Sequence, residues 1–348
     1  MDKDAILRVL KQVKYPGFSR DIVSFGLVRE VSVADDGKGT VVLGVSTSAT
    51  GVRDELRTGV SAALANAGLS GVEIVLVDAP PATAPAGATA PTPPAALPGV
   101  KYVVAVGSGK GGVGKTTVAV NLACALAKEF GAGRVGLLDC DFYGPSVPLM
   151  LGLGGVHEVE LAAGGSGLVP VERFGVKVMS LGFFIEEGAP VIWRGPMVMK
   201  TVQQFSSNVE WGGLDVLVVD LPPGTGDAQL SLVQAVAVNG VVIVTTPQAV
   251  AAGVARRGGE FFTRVGVRVL GVVENMSGGA SVFGSGGGAS VASALGTELL
   301  GSVPLDVAVC EGGDSGVPVF TTGGVAGEVF GKIARGVIQG LHCEGGAV

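Results

Sequence analysis

The nine residues from Gly109 to Thr117 read Gly-Lys-Gly-Gly-Val-Gly-Lys-Thr-Thr, and they constrain the fold more than any other stretch. Gly109, Gly114, Lys115 and Thr116 satisfy the phosphate-loop spacing G-x-x-x-x-G-K-[ST]. An apolar, β-branched run, Tyr102 to Val106, stands before the loop, and a helical pattern, Val118 to Ala127, follows it. A phosphate loop needs that strand–loop–helix setting. Its glycines let the backbone N–H groups of Gly109, Lys110, Gly111, Gly112, Val113 and Gly114 close around phosphate oxygens. The helix that begins near Thr116 and Thr117 adds its positive end. Lys115 is the expected partner of the β- and γ-phosphates, and the Thr116 hydroxyl is an expected Mg²⁺ ligand.

The rest of the chain is organised to suit such a loop. Short β runs at 102–106, 134–138, 176–180, 215–220, 241–245, 268–273 and 300–303 alternate with helical runs. This is the pattern of a doubly wound, mostly parallel α/β sheet, whose ligand sites lie at the carboxyl ends of the strands. Ahead of it, residues 79–99 are uncharged and dominated by Ala and Pro, which predicts an extended linker. Residues 1–78 read as a small α-β-β-α-β domain, with helical spacing at Ile6, Val9, Leu10 and Val13. Its strands are expected at Leu27–Val33, Thr40–Val45 and Val72–Val77, and its second helix at Val52–Ala67. The division predicted is therefore 1–78, a linker at 79–99, and an ATPase domain at 100–348.

Acids close two strands. Leu137-Leu138-Asp139-Cys140-Asp141 places two carboxylates at i and i+2, on one side of an extended chain. Beside the loop, either can orient the attacking water or the Mg²⁺ shell. Val216-Leu-Val-Val-Asp220 runs into Leu-Pro-Pro-Gly-Thr-Gly-Asp227; a hydrophobic strand ending in an acid is the second half of a phosphate-loop site, with Asp220 near Mg²⁺. After Val269–Val273 comes Glu274-Asn275-Met276-Ser277, where the Asn275 amide can donate to and accept from adenine at once. Pro304, with Leu305 and Asp306, is expected on the other wall of that base site.

A net charge of −6 and a pI near 5.1 argue against a nucleic-acid-binding surface. No apolar run approaches the roughly 20 residues of a membrane span, and Met-Asp-Lys-Asp-Ala carries no leader pattern, so a cytoplasmic protein is expected. Four dispersed cysteines, Cys124, Cys140, Cys310 and Cys343, fit reduced thiols rather than a disulfide framework.

The second lysine of the loop, Lys110, makes it resemble the deviant phosphate loop of the MinD/ParA/nitrogenase-iron-protein ATPases. That resemblance implies a homodimer in which Lys110 reaches the partner's nucleotide, and it gives Asp141 the water-positioning role. The ordered set is more specific. The phosphate loop, Asp139–Ser146, Val191-Ile-Trp-Arg-Gly-Pro-Met197, Asp220–Asp227, Glu274–Ser277, Phe283–Gly288 and Glu311-Gly-Gly-Asp-Ser-Gly316 resemble the Mrp/ApbC ATPases. The first 78 residues are similar to the metal–sulfur cluster assembly domain found with them. The resemblance implies an ATP-hydrolysing carrier that delivers iron–sulfur clusters to apoproteins. Members commonly show Cys-x-x-Cys after the Glu-Asn-Met-Ser segment; here Ser277-Gly-Gly-Ala-Ser-Val-Phe283 has none. The small domain also lacks the family's cysteine, at Ser46–Gly51. Cys310 and Cys343 are left as candidate cluster thiols. The alternative is a metal-free, ATP-switched dimer acting as a scaffold or positioning protein.

Overall fold

The computed structural model describes residues 3–13, 21–23, 27–33, 39–45, 50–69, 71–78, 96–141, 144–154, 159–160, 167–184, 208–224, 227–278 and 283–342. The chain divides into two compact units, Met1–Pro91 and Thr92–Val348.

In the first unit, helix α1 (Lys3–Leu10) and helix α2 (Thr50–Asn66) pack on a three-stranded sheet, β1 (Val28–Val33), β2 (Gly39–Val45) and β3 (Val72–Asp78). β1 and β2 are antiparallel, and β2 and β3 are parallel, joined through α2. Ile6 and Leu10 of α1 are fully buried with Val41 and Leu43 of β2 and Val60 of α2. These elements follow the expected α-β-β-α-β order. The sequence Asp35-Asp36-Gly37-Lys38-Gly39 reads as the turn between β1 and β2; of it only Gly39, the first residue of β2, lies within the described residues.

The second unit is built on eight strands: β4 (Val100–Ser108), β5 (Val135–Asp139), β6 (Val171–Arg173), β7 (Val176–Ser180), β8 (Leu214–Asp220), β9 (Gly240–Thr245), β10 (Val269–Ser277) and β11 (Leu299–Pro304). Their spatial order is β11-β10-β9-β4-β8-β5-β7-β6. Every neighbouring pair is parallel except β6 with β7. The centre reads as unbroken apolar runs, Val103–Val106 and Val216–Val219, because helices cover both faces. From β4 the chain steps one way to β5 through α3 (Lys115–Phe130). From β9 it steps the other way to β10 through the helix α6 (Ala249–Arg264). Right-handed crossovers put these helices on opposite faces. The long last helix, α10 (Gly324–His342), packs against α3. Among the described residues the other α-helices are α4 (Val147–Met150), α5 (Asp227–Ala235), α7 (Gly287–Leu295), α8 (Val307–Ser315) and α9 (Val319–Thr322).

Two details depart from the sequence reading. Residues 79–95 of the expected linker lie outside the described residues, but its last residues belong to the large unit. Leu97 is buried in that core, and the Leu214 N–H donates to Gly99 O at 2.6 Å. Composition extended the linker too far because a lone Leu among Ala and Pro carries no periodicity. The short strand β6 was not foreseen either. It is joined to β7 by Phe174 and Gly175, both at positive φ (51° and 75°), a tight turn without the usual Asn-Gly signal.

Candidate nucleotide-binding site

The strand order brings the ends of β4, β8 and β5 side by side. β8, which comes later in the chain, is inserted between β4 and β5. Asp139 and Asp220 close β5 and β8 as direct register partners. Lys115 and Thr116 open α3, which leaves β4 through the glycine loop. Four residues from distant parts of the sequence thus meet at the carboxyl edge of the sheet.

The loop has the backbone that phosphate binding requires. Gly112 and Gly114 have φ of 78° and 81°, a region that side chains disfavour. Gly112 is exposed, and a Cβ there would meet nothing within 4 Å, so only its backbone conformation calls for glycine. Gly109 is glycine for another reason: a Cβ there would lie 2.5 Å from the Val254 carbonyl oxygen of α6. The Ser108 hydroxyl donates to Lys110 O at 3.0 Å, tying the loop's entry.

At the loop's exit, the charged groups are bonded to each other. Lys115 Nζ lies 2.6 Å from Asp220 Oδ1 and 3.9 Å from Asp141 Oδ2. The Thr116 hydroxyl donates to Asp220 Oδ2 at 2.7 Å. Asp220 is fully buried. Burial pushes its carboxyl up, against the opposing pull of Lys115 and Thr116. Thr116 and Asp220 form a pair of hard oxygen donors within reach of one centre, a set that suits Mg²⁺.

The two acids of the Asp139-Cys140-Asp141 run part company. Asp139 is 1% exposed. It accepts from the Asp141 and Val147 N–H groups at 3.0 and 3.3 Å and from the Ser180 hydroxyl at 2.9 Å. It therefore clips both ends of the loop that carries Asp141. Burial, and then the Asp220 charge, push its carboxyl up to about 7. Asp141 keeps 15% of its side chain exposed, so it is the acid open to a ligand. Ser180 and the Gln229 side chain, whose Nε2 donates to Pro222 O at 2.7 Å, were not foreseen. Both are single polar residues beside strand ends, and only the fold gives them partners.

Asn275 sits against the loop, 3% exposed, its Nδ2 donating to Val113 O at 2.9 Å. A side chain on Gly114 would run into the Asn275 amide. The sequence reading gave this amide to adenine; the structure commits one of its N–H bonds to the loop itself. Pro304 pairs in register with Ser277, beside the end of the strand that carries Asn275. Lys110, half-buried, forms no ion pair with a described residue.

Of the thiols, Cys124 and Cys140 are buried in the core. Burial pushes the Cys124 thiol up to about 12. It raises Cys140 too, with the neighbouring carboxylates adding to the effect. Neither offers a thiolate. Cys310 on α8 is exposed, its Sγ 3.8 Å from Asp314 Oδ2. Cys343, Val191–Met197, Phe142, Tyr143, Thr225 and Gly226 lie outside the described residues. No group of three or more His, Cys, Asp or Glu suited to a metal occurs among the described residues, and no described helix is long and apolar enough to cross a membrane.

A glycine loop, a lysine and a threonine at a helix start, and an acid on the neighbouring strand define a phosphate-loop nucleotide-binding protein. The chain belongs to the ParA family described as the NUBPL iron-transfer P-loop NTPase, whose model matches residues 99–338. A second model, an iron–sulfur cluster assembly protein, matches residues 3–77. A relative from Synechocystis, named an iron–sulfur cluster carrier protein, is 45% identical over 92% of this chain and 91% of its own length. A solved nucleotide-binding protein from Archaeoglobus fulgidus, in complex with ADP, is 37% identical; the match covers 63% of this chain and 88% of that one, with a TM-score of 0.54. The cell-division ATPase MinD of Pyrococcus furiosus shares the fold at 23% identity and a TM-score of 0.52, over 68% of this chain and 98% of that one.

Proposed function

We propose that this protein is an ATP-hydrolysing carrier that delivers iron–sulfur clusters to apoproteins. The observation that carries the reading is the Lys115–Asp220–Thr116 cluster at the exit of a glycine loop, in a chain of the iron-transfer family. The family match and the cluster-carrier name of its relative support this over the metal-free scaffold.

The roles follow from position. The N–H groups of Gly109–Gly114 and the end of α3 receive the phosphates of ATP. Lys115 leaves Asp220 to meet the β- and γ-phosphates. Thr116 and Asp220 hold Mg²⁺, which supplies charge neutralisation at the phosphates when bound. Asp141 orients the attacking water, and Asp139 holds the backbone of Asp141 in place. Catalysis of this kind is positioning and charge stabilisation, with no covalent step on the protein. Asn275 and Pro304 line the base, and Lys110 acts across a homodimer.

The cluster is cargo. One chain offers a single exposed thiol among its described residues, Cys310, so a cluster needs thiolates from a second copy, from Cys343 or from the client. Anaerobic reconstitution tests this, with iron and sulfide counted per dimer. About four irons, lost in Cys310→Ser or Cys343→Ser, would support the full carrier mechanism. Absence of iron in a protein that turns over ATP would leave the scaffold reading.

A further inference from the structure

Consecutive residues at the end of β10 reach in opposite directions, as a strand requires. Asn275 turns to the phosphate loop and holds Val113 O. Glu274 turns away from it. Its carboxylate, 1% exposed, gathers three donors. Oε1 accepts from the Ser277 hydroxyl at 2.6 Å and from the Gly286 N–H at 3.3 Å, and Oε2 accepts from the Gly288 N–H at 2.6 Å. Gly286 to Gly288 open α7. That helix has no acid in its first turn and no side-chain cap of its own. Its unpaired first amides are satisfied by an acid from another element, the same strand that braces the loop.

The junction is built for close contact. A Cβ on Gly288 would stand 2.6 Å from Glu274 Cβ, and one on Gly287 would meet the Pro247 carbonyl. Between the two directions the backbone is irregular. Met276 has φ of 57°, outside what its side chain prefers, and the pairing of β10 with β11 slips between Glu274 and Ser277. Strained backbone of this kind persists where surrounding bonds over-determine it, here Asn275, Glu274 and the Leu305 N–H on Ser277 O at 3.0 Å.

We propose that Glu274 is a positioning residue that transmits the state of the phosphate loop to the start of α7. Val113 moves with the nucleotide, Asn275 follows Val113, and the Glu274 carboxylate carries the shift to Gly286 and Gly288. The inference rests on the reading that Mg²⁺-ATP binds the loop. It adds that the same event is felt at the helix start that follows the Ser277–Phe283 segment.

Hydrogen–deuterium exchange of the α7 amides in the full-length protein tests the relay, with and without Mg²⁺ and a non-hydrolysable ATP analogue. Analogue affinity is measured separately. In the wild type, nucleotide should change exchange at Gly286–Ser290 by about five-fold or more. In Glu274→Ala, that nucleotide-dependent ratio should collapse to one while the analogue still binds. Glu274→Gln, which keeps the shape and one acceptor oxygen, should show an intermediate ratio, and it decides the matter if the Ala variant does not fold. A purely structural cap predicts faster exchange in the variants with the ratio kept, which would overturn the proposal. So would a wild type that binds the analogue without any response at α7. Failure of the wild type to bind the analogue would instead strike the nucleotide reading itself, and the relay with it.

Discussion

Asp139 and Asp220 stand opposite each other at the ends of adjacent strands, in register, and both are withdrawn from water. Lys115 answers the charge of Asp220 at 2.6 Å, while Asp139 has hydroxyl and backbone donors only. Without nucleotide or metal the two acids share a place where one full charge is easier to hold than two.

The first prediction is a pH dependence of stability in the metal-free protein. Asp139 has its folded-state pKa raised, to about 7, above its ordinary value of 3.8. The folded state therefore binds more protons than the unfolded one between those values. Its contribution to stability is full below pH 3.8 and is lost as pH rises through about 7. Denaturant unfolding from pH 4 to 8 should show this fall in the wild type, and Asp139→Asn should flatten it. Equal slopes in the two proteins would mean that Asp139 ionises normally.

The second concerns Lys115→Ala. ATP turnover should be abolished. The structure places it 6% exposed against a fully buried carboxylate, so its removal should also cost on the order of 3 kcal/mol. Thermal unfolding of the variant, without nucleotide, reads this directly; an unchanged midpoint would show that Asp220 takes up a proton and needs no partner.

A third prediction separates two uses of one amide. If Asn275 reads adenine, Asn275→Ala should weaken ATP and leave GTP as it was. Its bond to Val113 O makes it a brace for the loop, and losing a buried bond of this kind costs about 1–3 kcal/mol. Binding of both nucleotides should then fall by about ten-fold, together. Calorimetric titration with the two nucleotides distinguishes the outcomes.

The fourth concerns Lys110. With no ionic partner among the described residues, its ammonium is available to a second copy. Lys110→Ala should bind ATP normally and turn it over slowly. Sedimentation with a non-hydrolysable analogue should show a wild-type dimer. Wild-type turnover in the variant would make Lys110 a surface residue.

The sheet was legible because its buried strands are apolar runs that stop abruptly, and they stop where the ligand edge lies. Val216–Asp220 and Leu137–Asp139 announce both their burial and their acids. Asp141 could be told from Asp139 only by resemblance, since the i, i+2 spacing puts both on one side; the fold buries one beneath the loop and leaves the other partly exposed. Nothing in the Glu-Asn-Met-Ser segment marks what Glu274 does, because its partners, Gly286 and Gly288, are glycines whose amides leave no trace in a sequence. Asn275 was read as a partner for adenine, and its bond to the loop was not foreseen. Val113 is 162 residues away, and a strand-end amide carries no mark of which way it reaches.

The insertion of β8 between β4 and β5 has a consequence for how the protein is made. Lys115 and Asp220 are 105 residues apart, and Asn275 meets Val113 across 162. A chain growing from its N-terminus carries a complete glycine loop long before the acid and the brace exist. During that interval the central sheet lacks the strand that separates β4 from β5, and those two edges stay open to wrong pairing. Long-range closure of this kind is slow to form. The nucleotide site is therefore among the last things such a chain acquires, and a ribosome-bound fragment ending before Leu214 would have the motif without the ability to use it.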